Sequence, residues 1–186
     1  IVFNGEIYNY RELSKTVPGP LMTSSDTEVL LHGILAQGPE FLNKTNGFAA
    51  FGLLDHKEKE LILGRDRLGK KPLYVYQSRD VFAFASELKA FVSLGLPLTP
   101  EPLAIAQFRW MGYIPGPLAV YKECQKFPAA SFARLKLGGS GLPQLRPELY
   151  WDPLASYGTT YDRSYETAID EFLYLMDDAC KLRLRA

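Results

Sequence analysis

Few residues in this sequence belong to types that do chemistry outright. Two cysteines, Cys124 and Cys180, lie far apart and form no Cys-x-x-Cys pair, and the two histidines, His32 and His56, are too few to complete a zinc site. Amides and carboxylates are the remaining candidates. Asn4-Gly5-Glu6 follows the apolar Ile1-Val2-Phe3, and Asn-Gly after a strand suits a tight turn. Ser25-Asp26-Thr27-Glu28 has the spacing of a capping box, in which Ser25 and Glu28 satisfy free N–H groups at a helix start. Asp26 then falls in the first helical turn, where the macrodipole stabilises a carboxylate. Arg65, Asp66 and Lys71 could together hold a phosphate, but beside a strand they read as structural ion pairs. Glu87 fits the ordering of a nearby loop and His32 a structural place on a helix. Asn43-Lys44-Thr45 matches a glycosylation sequon, with no secretory signal to make it usable.

Positioning any of these takes a framework, and the composition supplies one. The 186 residues are 47% hydrophobic and 13% aromatic, enough for one packed domain and a short extension. Lys and Arg total 21, as do Asp and Glu, so no net field draws nucleic acid or an anionic membrane. No apolar run approaches the roughly 20 residues that span a bilayer. No signal-peptide pattern opens the chain, so a soluble cytoplasmic protein is expected.

Residues 1–3 read as a buried strand that stops at Asn4-Gly5. A helix over about 8–16 ends at Pro18-Gly19-Pro20, and a second runs from the Ser25 cap to about Gln37, stopped by Gly38-Pro39. Residues 48–55 and 60–65 flank a charged turn, and 73–76 and 81–85 flank another. Two hairpins in succession predict an antiparallel meander, and its apolar residues on both faces call for cover on both sides. Short helices near 87–94 and 102–111 and a strand near 131–137 complete the domain. Pro143, Pro147 and Pro153 mark a linker, and an amphipathic helix over 164–185 carries Tyr165, Ile169, Phe172, Met176 and Cys180 at helical spacing.

Six blocks, in order, give the sequence a family resemblance. Phe3-Asn4-Gly5-Glu6-Ile7-Tyr8-Asn9-Tyr10 and Ser25-Asp26-Thr27-Glu28-Val29-Leu30-Leu31-His32 resemble motifs of glutamine-dependent asparagine synthetases. Gly47-Phe48-Ala49-Ala50-Phe51, Arg65-Asp66-Arg67-Leu68-Gly69-Lys70-Lys71-Pro72-Leu73-Tyr74, Ser86-Glu87-Leu88-Lys89-Ala90 and Gly112-Tyr113-Ile114-Pro115-Gly116-Pro117 continue the series. The resemblance implies an α+β fold of the N-terminal-nucleophile hydrolase type, an αββα sandwich of two antiparallel sheets, truncated at its N-terminus. It also implies hydrolysis of glutamine to glutamate and ammonia, which a synthetase domain uses to amidate aspartate at the expense of ATP. On that match the side-chain amide of Asn4 and the backbone N–H of Gly5 are the oxyanion donors, and Glu6 and Asp26, with Ser25 close by, hold the substrate's α-ammonium group.

The same resemblance sets the expected boundaries. Residues 1–140 form a partial class II glutaminase domain, 141–163 a linker, and 164–186 the first helix of a synthetase domain; the unpaired stripe on that helix calls for the synthetase domain or a second subunit of a homodimer as its partner. No cofactor or metal is expected in this chain; ATP and Mg belong to the synthetase domain. The family nucleophile is a cysteine at the mature N-terminus, whose α-amino group, with a pKa of about 8, takes the thiol proton. Ile1 has no nucleophilic atom, and Cys124 and Cys180 have amide nitrogens, so the 186 residues alone are expected to be inactive. A degenerate glutaminase-fold module with a structural or interaction role is the competing reading. Ala129-Ala130-Ser131 stands where the family shows a Pro-Gly-His type turn, which marks a less typical member and loosens the choice of aspartate as acceptor.

Overall fold

Strands with apolar residues on both faces must be covered on both sides, and two stacked sheets between helices satisfy that demand. The computed structural model describes residues 1–139, 141–155 and 157–184. Its elements are β1 (Val2–Ile7), α1 (Tyr10–Leu13), α2 (Asp26–Gln37), β2 (Gly47–Asp55), β3 (Glu60–Arg65), β4 (Tyr74–Gln77), β5 (Phe82–Ala85), α3 (Lys89–Ser93), α4 (Pro102–Met111), β6 (Cys124–Lys126), β7 (Ser131–Lys136), β8 (Glu148–Leu149) and α5 (Tyr165–Arg183). The first sheet has the order β1-β2-β3-β7-β8 and the second β5-β4-β6. Every pairing is antiparallel.

Three apolar cores separate four layers. Val29, Leu30 and Ile34 of α2 and Leu13 of α1 cover Ile7, Ala49, Phe51, Leu53 and Ile62 on one face of the first sheet. Ala50, Leu63, Val75, Ala133 and Leu135 fill the space between the sheets. Phe91 of α3 covers Tyr76 and Cys124 on the far face of the second sheet. Neighbours such as Ala49 and Ala50 therefore serve different cores, as a two-residue period requires. The result is the αββα sandwich expected from the resemblance.

Several local expectations give way to tertiary pairing. Asn4-Gly5 is no turn: β1 runs through it, with Asn4 opposite Ala50 and Gly5 opposite Ala49. The single meander is replaced by two sheets, because β3 pairs with β7 rather than with β4. Ser25 caps α2 by accepting from the Thr27 N–H at 3.2 Å, but Glu28 does not return to Ser25. It accepts instead from the Met22 and Thr23 N–H groups at 2.8 and 2.7 Å, fastening the loop ahead of the helix. Neither β6 nor β8 was expected. β8 falls within the stretch read as linker, where Tyr150 N–H donates to the Ala130 carbonyl at 2.9 Å and binds that stretch to β7's entrance. The last helix ends at Arg183 with Leu184 as its cap; Arg185, its expected end, and Ser140, the expected domain boundary, lie outside the described residues.

Candidate active site

β1 is an edge strand, paired with β2 on one side and open on the other. Backbone groups of a strand point alternately to either side, so two hydrogen bonds fix the phase of all the rest. Tyr8 N–H donates inward to the Asn46 carbonyl at 2.8 Å, and Ile7 N–H donates outward to Asp26 Oδ2 at 2.9 Å. Gly5 shares the phase of Ile7, so its N–H points off the open edge. The absence of a side chain at Gly5 is a packing requirement as well: a Cβ there would sit 2.0 Å from the Phe48 carbonyl oxygen.

Asn4 lies on the face of β1 that looks toward the second sheet. Its Nδ2 donates to Ser86 Oγ at 3.2 Å, one residue past the end of β5 and 82 residues away in sequence. β5 is the edge of the second sheet, so this bond joins the open edges of the two sheets. A cavity of about 190 Å³, lined by Asn4, Gly52, Leu73, Phe84 and Ser86 among others, opens beside it. Gly52 lets the sheets approach here, since a Cβ would fall 2.3 Å from the Phe84 ring.

The carboxylates approach from two sides. Glu6 shares the face of Asn4 and is half-buried, and among the described residues its carboxylate has no hydrogen bond and no ion pair. Asp26 arrives from the helical layer at the N-terminus of α2; Oδ2 takes the Ile7 N–H, and Oδ1 accepts from the Thr27 hydroxyl at 3.3 Å. Asp26 therefore braces the open edge two residues from Gly5. Ser25 stays at the surface with its oxygen engaged in the cap. Asn4, Gly5, Glu6 and Asp26 thus meet at one strand edge, and Ser25 flanks them.

The loop after β3 supports this edge from behind. The expected ion pairs are absent among the described residues: Arg65 and Asp66 each bind backbone. Arg65 donates to the carbonyls of Lys71, Phe127 and Gly69 at 2.8, 2.5 and 2.7 Å, and burial holds its pKa below the ordinary arginine value. The buried Asp66 carboxylate accepts from the N–H groups of Ala49, Leu68, Lys70 and Lys71 at 3.3, 3.1, 2.9 and 3.0 Å. Donors spent in this way on the protein's own carboxylate and carbonyls are not available to a phosphate. Near the other end of β1, Tyr8 and Phe48 pack edge to face at 5.8 Å. Lys70 Nζ stands 4.8 Å above the Phe48 ring and Arg183 Cζ 4.8 Å above Tyr8, which is how α5 touches this strand.

A larger cavity lies elsewhere. It measures about 810 Å³, is walled by Arg65, Tyr113, Pro117, Lys126 and Pro128 among others, and includes none of the sequence-derived site residues. Its two cations are already committed, Arg65 as above and Lys126 to the Ile114 carbonyl. Cys124 is buried in the outermost core, where desolvation pushes its thiol up to about 11, and Cys180 is exposed on α5. Among the described residues no three His, Cys, Asp or Glu side chains are grouped to hold a metal, and no helix is long and apolar enough to cross a membrane. Ser86 is the member of this neighbourhood that sequence reasoning missed as a functional residue. Nothing local marks it, because its partner is brought to it only by the stacking of the sheets.

A family model described as a glutamine amidotransferase domain matches residues 1–151. The chain aligns over its full length with a putative glutamine-hydrolyzing asparagine synthetase 2 of Methanocaldococcus jannaschii, at 34% identity, covering 36% of that protein. It aligns similarly with a putative glutamine-hydrolyzing asparagine synthetase of Mycobacterium tuberculosis, at 30% identity, covering 29% of it. The chain therefore spans about a third of the curated relatives it matches. Among solved structures, the glutamine phosphoribosylpyrophosphate amidotransferase of B. subtilis superposes with a TM-score of 0.56 at 23% identity, over 81% of this chain and 28% of that one. At that identity the likeness is one of fold.

Proposed function

We propose, from the premise that this chain belongs to the glutamine amidotransferase domain family, that it is the glutamine-hydrolysing part of an ATP-dependent asparagine synthetase. The observation that carries the reading is the meeting of two amide donors, Asn4 Nδ2–H and Gly5 N–H, at one open strand edge with the carboxylate of Glu6, which has no hydrogen bond or ion pair among the described residues. A thiolate attacks the carboxamide carbon of glutamine, and the electron pair of the C=O bond moves to oxygen. The two donors face that oxyanion, where each is worth on the order of 10²–10³ in rate. Collapse breaks the C–N bond as the leaving nitrogen takes up the proton the thiol gave up and departs as ammonia; water then hydrolyses the resulting thioester to glutamate and restores the thiol. Glu6 and the remaining acceptor capacity of Asp26 hold the substrate's ammonium group, a charge-assisted contact.

Neither cysteine in this sequence fits the nucleophile. Cys124 belongs to a different core and resists ionisation, and Cys180 lies on α5. The nucleophile is supplied from outside these 186 residues, as are ATP, Mg and the domain that amidates aspartate. The test uses the complete polypeptide that carries this chain and measures glutamate release from glutamine. Asn4→Ala is expected to lower kcat by about 10²–10³ with little change in KM. An unchanged kcat would remove Asn4 from the site. No release by the unsubstituted polypeptide would leave a structural module built on a glutaminase fold.

A further inference from the structure

An oxyanion donor works only if it points the right way before the charge develops, because reorientation during the reaction forfeits the gain. A backbone N–H such as that of Gly5 is aimed by its strand. A side-chain amide is not. The carboxamide of asparagine turns about a broad, weakly defined torsion, and a half-turn puts its oxygen where its nitrogen stood. Oxygen facing a developing oxyanion repels it, and a freely turning amide spends little time in the productive plane, so Asn4 needs an anchoring residue.

We infer that Ser86 is that positioning residue, acting through Asn4 on the hydrolysis of glutamine; the inference rests on the glutaminase reading above. Among the described residues the Asn4 carboxamide makes one side-chain hydrogen bond, Nδ2 to Ser86 Oγ at 3.2 Å. The amide nitrogen carries two N–H groups in a fixed plane. A serine hydroxyl can donate as well as accept, so Ser86 holds the plane of the amide rather than its hand; in the orientation observed one N–H is committed to Ser86, and the second, whose direction that sets, is left for the oxyanion. Ser86 is itself well fixed. It follows the last residue of β5, whose Phe84 ring seats against Gly52 of β2, and it borders the same cavity of about 190 Å³ as Asn4. The hydroxyl oxygen is thus delivered by one sheet to a donor on the other, beside that cavity.

The experiment is a double-mutant cycle in the complete polypeptide, read as steady-state glutaminase kinetics. One net hydrogen bond is worth roughly a factor of five, so Ser86→Ala is expected to lower kcat about 5- to 10-fold while KM for glutamine holds. Ser86→Thr, which keeps the oxygen, is expected to stay within about twofold of the original. In an Asn4→Ala background, Ser86→Ala is expected to change nothing more, because the group it positions is gone. If Ser86→Ala lowers kcat equally in both backgrounds, Ser86 acts independently of Asn4 and the inference is overturned. If Asn4→Ala cripples hydrolysis while Ser86→Ala leaves it intact, the inference fails and the glutaminase reading stands. If Asn4→Ala is itself harmless, the donor assignment and the role of Ser86 fall together.

Discussion

A methyl group at Gly5 would sit 2.0 Å from the Phe48 carbonyl oxygen, an atom of the neighbouring strand that has nowhere to go. Gly5→Ala is therefore expected to push β1 off β2 and abolish hydrolysis. Its signature is a lowered urea midpoint together with lost turnover, whereas Asn4→Ala loses one inter-sheet hydrogen bond, about 1 kcal/mol of stability. Glu6 differs again. Its carboxylate has no partner among the described residues, so Glu6→Gln removes a charge at little structural cost. A charged hydrogen bond is worth about 1.5–3 kcal/mol, which predicts a KM for glutamine raised by roughly 10- to 100-fold with kcat less affected. An unchanged KM would take Glu6 out of the substrate's reach. At this scale the sequence was legible where roles attach to short motifs, as with Asn4-Gly5-Glu6 and Asp26. It misled where a dipeptide's local preference was overruled: six paired residues of β1 outweigh the turn habit of Asn-Gly.

Elements legible in the sequence are those whose signals are local. α2 starts at the Ser25 cap and ends at Gly38, and the β2 and β3 hairpin keeps its expected bounds to within a residue. The partner of β3 was not legible, since β7 lies beyond both hairpins in sequence and wins the edge only through the inter-sheet core. β8 carries no signal of its own and is held in place by the adjoining Tyr150. That residue donates its hydroxyl to the Arg65 carbonyl at 3.2 Å, and burial pushes its pKa up to about 12. The unfolded value is about 10, so the folded state keeps the proton longer than the unfolded chain does. The stabilisation is whole below about pH 10, declines above it, and is lost once the pH passes about 12. Tyr150→Phe is expected to cost about 1 kcal/mol near neutrality and to flatten that alkaline decline. Urea midpoints of both proteins between neutral and alkaline pH check it; parallel curves would mean the hydroxyl is not buried. Cys124, raised to about 11 by the same cause, contributes to both proteins and cancels in the difference.

In the molecule as a whole, stability is unevenly distributed, and α5 marks the division. The sandwich is closed by three cores, two between a sheet and its helices and one between the sheets. α5 contributes no buried residue to any of them, and Tyr165, Phe172 and Leu175 are 77%, 61% and 63% exposed. Its apolar stripe was legible from spacing alone, but a stripe states only that a surface is wanted, not which one. Its cationic contact with the sandwich is Arg183 over the Tyr8 and Phe48 rings, worth about 0.5–1 kcal/mol at an exposed site. A 19-residue helix without a packed face is marginal in water even with its Ser164 cap. The chain is therefore expected to unfold in two stages. Helical circular dichroism should fall first as α5 melts, and the near-ultraviolet signal of the buried Tyr76 and its aromatic neighbours should hold until the sandwich opens. Removing residues 164–186 should erase the first stage and shift the second by no more than about 1 kcal/mol, the loss of the Arg183 contact. Coincident transitions in the intact chain, or a loss of several kcal/mol on removal, would show that α5 is part of the cooperative core after all.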